Sequence, residues 1–185
     1  MATLDPRRTA LVLIDLQKGI VAMPVQPYSG PQILERCVEL AGKFRDAGAL
    51  VVRVHVGWSA DGADALKQPT DAGFHGPLPA DFDAFMPDIV DDRDVVIRKR
   101  QWGAFHGTEL DLQLRRRGIE HIVLAGIATN IGVESTARSA WEHGYQLTVL
   151  EDACSTFSAE MQDFAFKTIF PRLGHVTTRD EIVLG

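Results

Sequence analysis

Residues 9–15 read Thr-Ala-Leu-Val-Leu-Ile-Asp. The stretch from Ala10 to Ile14 is apolar without interruption, so both faces of the segment need cover. That is the pattern of a parallel strand packed between helices, not of an antiparallel strand with one wet face. The run stops on a carboxylate, Asp15. Working outward, residues 31–47 form an amphipathic helical pattern whose stripe is Ile33, Leu34, Val38, Leu40, Ala41 and Phe44. Gly48 suits the position just past its end. Residues 50–56 are a second strand. The same alternation resumes later: strand 94–98, helix 108–117 closed by Gly118, strand 121–125, and helix 130–143 closed by Gly144. Strand 146–151 and a helix over 158–170, ended by Pro171, come next. A short strand starts at Val176, and a turn covers 179–183. Strand and helix in strict alternation predict a three-layer α/β/α, Rossmann-like fold with a mainly parallel sheet of about six strands.

The chain has 185 residues, which suits one domain over 1–185. A formal charge of −6 disfavours nucleic acid, because phosphate contacts need clustered Lys and Arg. The basic run Arg115-Arg116-Arg117 reads as charge complementing a helix C-terminus. Two cysteines, Cys37 and Cys154, make no disulfide framework and read as reduced thiols. The opening residues carry acid and proline, unlike a signal peptide, and no apolar run is long enough to span a membrane. These features lead us to expect a cytoplasmic protein with a small-molecule partner. Residues 57–93 break the pattern. They are rich in Gly, Pro, Asp and Ala, and they carry Trp58, Phe74, Phe82 and Phe85. A loop this long in a compact domain belongs to a site or a subunit contact.

In open parallel sheets, ligands bind beyond the carboxyl ends of the strands. The residues to question there are Asp15, His55, Lys99, and the segments 126–132 and 152–155. Asp15 either faces the crevice or merely starts a turn. Lys99 opens Lys-Arg-Gln-Trp-Gly-Ala-Phe-His-Gly-Thr, residues 99–108. It either balances a carboxylate or anionic substrate, or belongs to a solvated basic stretch with Arg98 and Arg100. Residues 126–132, Gly-Ile-Ala-Thr-Asn-Ile-Gly, join a strand to a helix. Asn130 is a candidate cap, the free N–H groups can hold an anion, and Gly132 permits close backbone approach.

Taken in order, these segments resemble the isochorismatase-like hydrolases of the cysteine hydrolase superfamily. The resemblance rests on Leu-Val-Leu-Ile-Asp-Leu-Gln (11–17), Lys99, Phe-His-Gly-Thr (105–108) and Gly-Ile-Ala-Thr-Asn-Ile-Gly-Val-Glu-Ser-Thr-Ala (126–137). Gly144-Tyr145, Glu-Asp-Ala (151–153) and Gly-His-Val-Thr-Thr (174–178) extend it. In the amidase branches of that family, Asp and Lys activate a cysteine at the start of the helix. Asp15 and Lys99 match two of the three, but the third position falls on Gly132, which carries no nucleophile. The isochorismatase branch likewise has glycine there and cleaves a vinyl ether. The resemblance therefore implies Asp15 as a general acid that protonates an enolpyruvyl methylene, with water adding and the hemiketal collapsing to pyruvate and an alcohol. It implies Lys99 as the electrostatic partner of a substrate carboxylate. It also implies a cis peptide at Ile127–Ala128 that turns the Ala128 and Gly132 N–H groups toward the substrate.

The expected substrate-binding set is Ala128, Ile127, Trp102, Phe105, His55 and Gln17. This chain has Ala128-Thr129-Asn130 where the isochorismatase loop carries aromatic and His residues. Gln68 and Arg93 are the only candidates in 57–93 for that branch's binding Gln and Arg. The resemblance thus implies a small carboxylated substrate without fixing isochorismate. Two further proposals carry less. Cys154 could be a relocated nucleophile, but it reads as a buried thiol. His55, Asp61, Asp64 and His75 could hold a metal, but their spacing lacks the Asp-x-His pattern of nicotinamidase-like relatives. No metal or cofactor is expected, and a homo-oligomer is. The rival functions are an amide hydrolase using water or another nucleophile, and a non-catalytic binder.

Overall fold

The apolar run at 9–14 lies in the interior of the sheet, with all six residues buried. A computed structural model describes residues 3–73, 76 and 78–185. Its strands are β1 (Thr3–Leu4), β2 (Thr9–Ile14), β3 (Leu50–Val56), β4 (Val95–Lys99), β5 (His121–Ile127), β6 (Gln146–Ser155), β7 (His175–Thr177) and β8 (Val183–Leu184). The helices are α1 (Lys18–Val21), α2 (Gly30–Asp46), α3 (Leu110–Arg116), α4 (Glu134–Glu142) and α5 (Ala159–Phe164). The main sheet has six strands in the order β4-β3-β2-β5-β6-β7, and every pair is parallel. From β2 the chain moves first to β3 on one side, and β5 later pairs on the other. The strand order therefore reverses at β2, and in open parallel sheets ligands bind at the carboxyl end of such a point. A second ribbon, β1 with β8, ties the two ends of the described chain together and has no counterpart in the sequence reading.

Local chemistry explains the elements. Ser29 caps α2 in a reciprocal pair with Gln32, and a proline occupies its first turn. The helix then buries Ile33, Leu34, Cys37, Leu40, Ala41 and Phe44, while Val38 is only half-buried. Full burial of side chains of this size contributes about 1.5–3 kcal/mol each. The strand expected at 94–98 runs from Val95 to Lys99, so Lys99 is its last residue. The strand expected to end at residue 151 continues to Ser155, because a bulge between Leu124 and Gly126 shifts the β5–β6 register.

Two helix expectations need correction. The helix expected from residue 130 opens with a π turn, Thr129–Val133, before α4. Asn130 does not cap it, since its Oδ1 accepts a hydrogen bond from Thr156 Oγ1 at 2.5 Å. The helix expected over 158–170 is α5, then a π turn (Ala165–Ile169), then a 3-10 turn (Phe170–Arg172) that takes Pro171 into its own first turn.

Residues 57–93 hold only a 3-10 turn, Pro87–Ile89, among their described residues. They are pinned to the strand ends by the Gln17–Phe85 bridge and by bonds from Lys18 N to Ala84 O and from Met86 N to Leu16 O. Phe82 is buried beneath them, and Phe74 and His75 lie outside the described residues. No helix among the described residues is long and apolar enough to cross a membrane.

Gly126 shows how closely the strands meet at the crevice. Its φ is +125°, and a Cβ there would lie 2.2 Å from the Ile14 carbonyl oxygen. Gly126→Ala is therefore expected to destabilise the protein by more than about 2 kcal/mol. Urea denaturation measures this, and an unchanged midpoint would contradict the packing described.

Candidate functional site

Asp15 follows β2 directly and adopts φ +54°, a left-handed conformation uncommon for a residue with a side chain. Its N–H donates to Val54 O at 2.9 Å, which fixes the backbone at the strand end. Lys99 ends β4, two strands away, where it pairs in register with Val56 of β3. Its long stem reaches past the end of β3, and Nζ donates to Asp15 Oδ2 at 2.8 Å. Both side chains are buried, with exposures of 2% and 7%. The second carboxylate oxygen, Oδ1, is buried and has no hydrogen-bond partner among the described residues. Burial pushes the Asp15 carboxyl above its usual range, although the Lys99 ammonium and, more weakly, His55 pull it back.

Gly132 forms the third side. A Cβ there would meet Ile14 Cγ2 at 3.0 Å, Asp15 Oδ2 at 3.2 Å and Lys99 Nζ at 3.4 Å. The main chain of the π turn therefore faces the ion pair directly. The peptide at Ile127–Ala128 is cis, where the resemblance put it. The Ala128 carbonyl accepts from Ile131 N at 3.1 Å and from Val133 N at 3.2 Å, folding the loop into its wide turn.

A buried polar framework, missed in the sequence, holds this loop. Thr129 Oγ1 donates to Gln162 Oε1 at 2.6 Å, and Gln162 Nε2 donates to Cys154 O at 3.1 Å. Thr136 Oγ1 donates to Gly132 O at 2.7 Å and accepts from Ala104 N at 3.1 Å, which ties the loop after Lys99 to α4. An amide and two hydroxyls at buried helix positions were the available signal.

The structure brings Asp15, Lys99 and Gly132 together, and it gives the other candidates contacts of their own. Gln17 is fully buried and spent on main chain: Nε2 donates to Val56 O and Phe82 O, both at 3.0 Å, and Oε1 accepts from Val56 N at 2.8 Å. It anchors the start of the 57–93 loop instead of offering its amide to a ligand. His55 precedes Val56, the residue in register with Lys99, so side-chain alternation points it to the opposite face of the sheet. Its Nδ1 lies 2.8 Å from Asp83 O and carries the proton, because a carbonyl only accepts; its ring packs on Phe85 at 4.8 Å. Trp102 is 64% exposed. Phe105 is core: its ring lies 5.1 Å from His143 and 5.9 Å from Tyr145.

Arg93 precedes β4, at the amino edge of the sheet and far from the crevice, where it pairs with Asp91. Gln68 is exposed. Cys154 lies in the β6 core, and burial pushes its thiol well up, away from the thiolate a nucleophile requires. Asp61 binds Ser59, and Asp64 binds Ser59 and Arg100. Among the described residues no group of three His, Cys, Asp or Glu is placed to share a metal.

Comparison with known proteins supplies an independent line. Residues 9–181 match the model of the isochorismatase domain. The uncharacterized isochorismatase family protein YecD of Escherichia coli O157:H7 is 50% identical, over 99% of this chain and 98% of that protein. An isochorismatase family protein from Burkholderia thailandensis, of known structure, is 52% identical with a TM-score of 0.93, covering 97% of this chain and 95% of that one. Ureidoacrylate amidohydrolase RutB of Variovorax paradoxus (strain S110) is 30% identical, over 95% of this chain and 80% of that protein.

Removing one partner of a buried ion pair strands the other. Asp15→Asn is therefore expected to lower stability by about 3–5 kcal/mol. The double variant Asp15→Asn/Lys99→Met should recover most of that loss. Denaturant melts of the two variants measure the difference, and equal stability of the single and double variants would mean that Lys99 is not confined beside Asp15.

Proposed function

The chain belongs to the isochorismatase family of hydrolases, and on that footing we propose that it hydrolyses a small carboxylated substrate by proton donation from Asp15, with no covalent enzyme intermediate. The observation that carries the reading is the asymmetry of the Asp15 carboxyl. Oδ2 is held by Lys99 at 2.8 Å, while Oδ1 is buried with no partner among the described residues. A buried polar atom without a partner is unfavourable, and a bound ligand relieves it. Burial also raises the Asp15 pKa, the direction that favours a general acid.

For an enolpyruvyl ether, Asp15 delivers its proton to the methylene carbon, which becomes a methyl group. The ether carbon becomes an oxocarbenium centre. Water adds to that carbon and returns a proton to the Asp15 carboxylate. The hemiketal hydroxyl proton passes to the ether oxygen as the C–O bond breaks, leaving pyruvate and an alcohol. Lys99 stabilises the carboxylate left after the first transfer and attracts the substrate's own. Gly132, with no side chain beside the pair, leaves room for the reacting carbon and supplies no nucleophile. Backbone N–H groups of Ala128 and Gly132 are the proposed donors to developing charge.

Similarity to RutB, an amidohydrolase by name, favours one alternative: C–N hydrolysis with water as nucleophile and Asp15 as its base. The two readings part in a substrate panel. The ether reading expects pyruvate from enolpyruvyl ethers, no acyl adduct by mass spectrometry, and a 10²–10⁴-fold loss of kcat, roughly, in Asp15→Asn. Because the acid acts protonated, kcat is highest at low pH and falls as pH rises through the raised Asp15 pKa. Gly132→Ala should raise KM, since its Cβ intrudes on the pair. Release of ammonia from ureido or carbamoyl substrates without pyruvate would replace this reading with the amide one. Ligand binding without turnover of any class would make the chain a binder.

A further inference from the structure

We infer that the edge of the sheet opposite Asp15 carries a second binding site, for a small molecule with two or more phosphate or carboxylate groups. A cavity of about 400 Å³ opens there, lined by Arg7, Arg45, Arg93, Arg117 and Asp94 together with the backbone around Gly48. That volume lies within the usual range of small-molecule sites. The lining residues come just before β2, β3, β4 and β5, so the cavity sits at the amino ends of four neighbouring strands. The length of β2 separates it from the crevice by roughly 20 Å.

The floor is built and rigid. Arg45 is nine-tenths buried, at 10% side-chain exposure. It donates to Asp94 through Nε at 3.0 Å and Nη2 at 2.7 Å, and to Ile89 O at 3.2 Å. Its Nη1 has no partner among the described residues. Asp94 also accepts from Arg53 Nε at 2.8 Å, so its charge is shared by two guanidiniums and does not face the cavity as a free carboxylate. The rim is exposed and adaptable. Arg7 pairs with Asp5 and Arg93 with Asp91, and the arginine side chains are 86% and 64% exposed. Exposed ion pairs of this kind hold weakly in water, so a multiply charged ligand can redirect both arginines. Among the described residues, the Arg117 guanidinium donates through Nη1 alone, to Gln113.

Arginines at helix C-termini also answer the helix dipole, which accounts for Arg45 and Arg117. Arg7 and Arg93 lie outside any helix, and the dipole does not account for them. Counting Arg53 and the neighbouring Asp5, Asp46, Asp91 and Asp94, cationic charge still exceeds anionic here. The whole chain, by contrast, carries −6. Four guanidiniums around one cavity suit planar oxyanion recognition at several points.

Calorimetric titration of the full chain with inorganic pyrophosphate, and separately with citrate, at constant ionic strength tests the site. The expected result is saturable binding of at least one probe, weakened tenfold or more in Arg93→Ala/Arg117→Ala. Both positions are exposed, and circular dichroism checks that the fold is intact. Asp15→Asn/Lys99→Met, which dismantles the crevice, should leave this binding unchanged, so the outcome is independent of the proposed hydrolysis. No saturable heat, or binding untouched by the double arginine variant, overturns the inference. So does binding lost only when Lys99 is removed.

Discussion

A carboxylate and an ammonium are held together out of water at the carboxyl end of the sheet, and most of the local architecture answers to that pair. Taking both charges from solvent is costly, and their attraction offsets it only when geometry is fixed. The fixing comes from the strands. Asp15 is held by its bond to Val54, and Lys99 arrives by register with Val56. Among the described residues, the buried Oδ1 of Asp15 is left without a partner.

The elements around the pair serve it by excluding bulk. Gly126 lets β5 close against β2, and Gly132 lets the π turn come within a side chain's breadth of both charged groups. Buried polar side chains hold these approaches in place. Gln17 fastens the long 57–93 loop to the end of β3, and Thr129 with Gln162 fastens the π turn to β6. These residues act through backbone position.

The amino edge of the sheet follows a different logic. There the charges are arginines and aspartates in a graded network, with Arg45, Arg53 and Asp94 buried and Arg7, Arg93 and Arg117 at the rim. Buried Asp94 joins α2, β3 and the entry to β4, so the network locks the packing of those elements. The same sheet thus holds a buried ion pair at one edge and a cavity lined by arginines at the other.

Signals local to the chain determined the layered fold, the central strand and the end-of-strand positions of Asp15 and Lys99. Apolar periodicity and abrupt strand endings report burial whatever the partner, and the resemblance in 126–137 supplied the loop. Tertiary structure alone decided which candidates meet. Lys99 and His55 both sit at strand ends, yet a one-residue difference in register sends them to opposite faces. Gln17 finds its acceptor at Phe82, 65 residues away, and Phe105 turns inward onto His143 and Tyr145. The π turns, the β6 extension and the β1–β8 ribbon depend likewise on contacts between distant segments. Side-chain type limits what a residue can do, but only the packed register fixes which way it points and which group it meets.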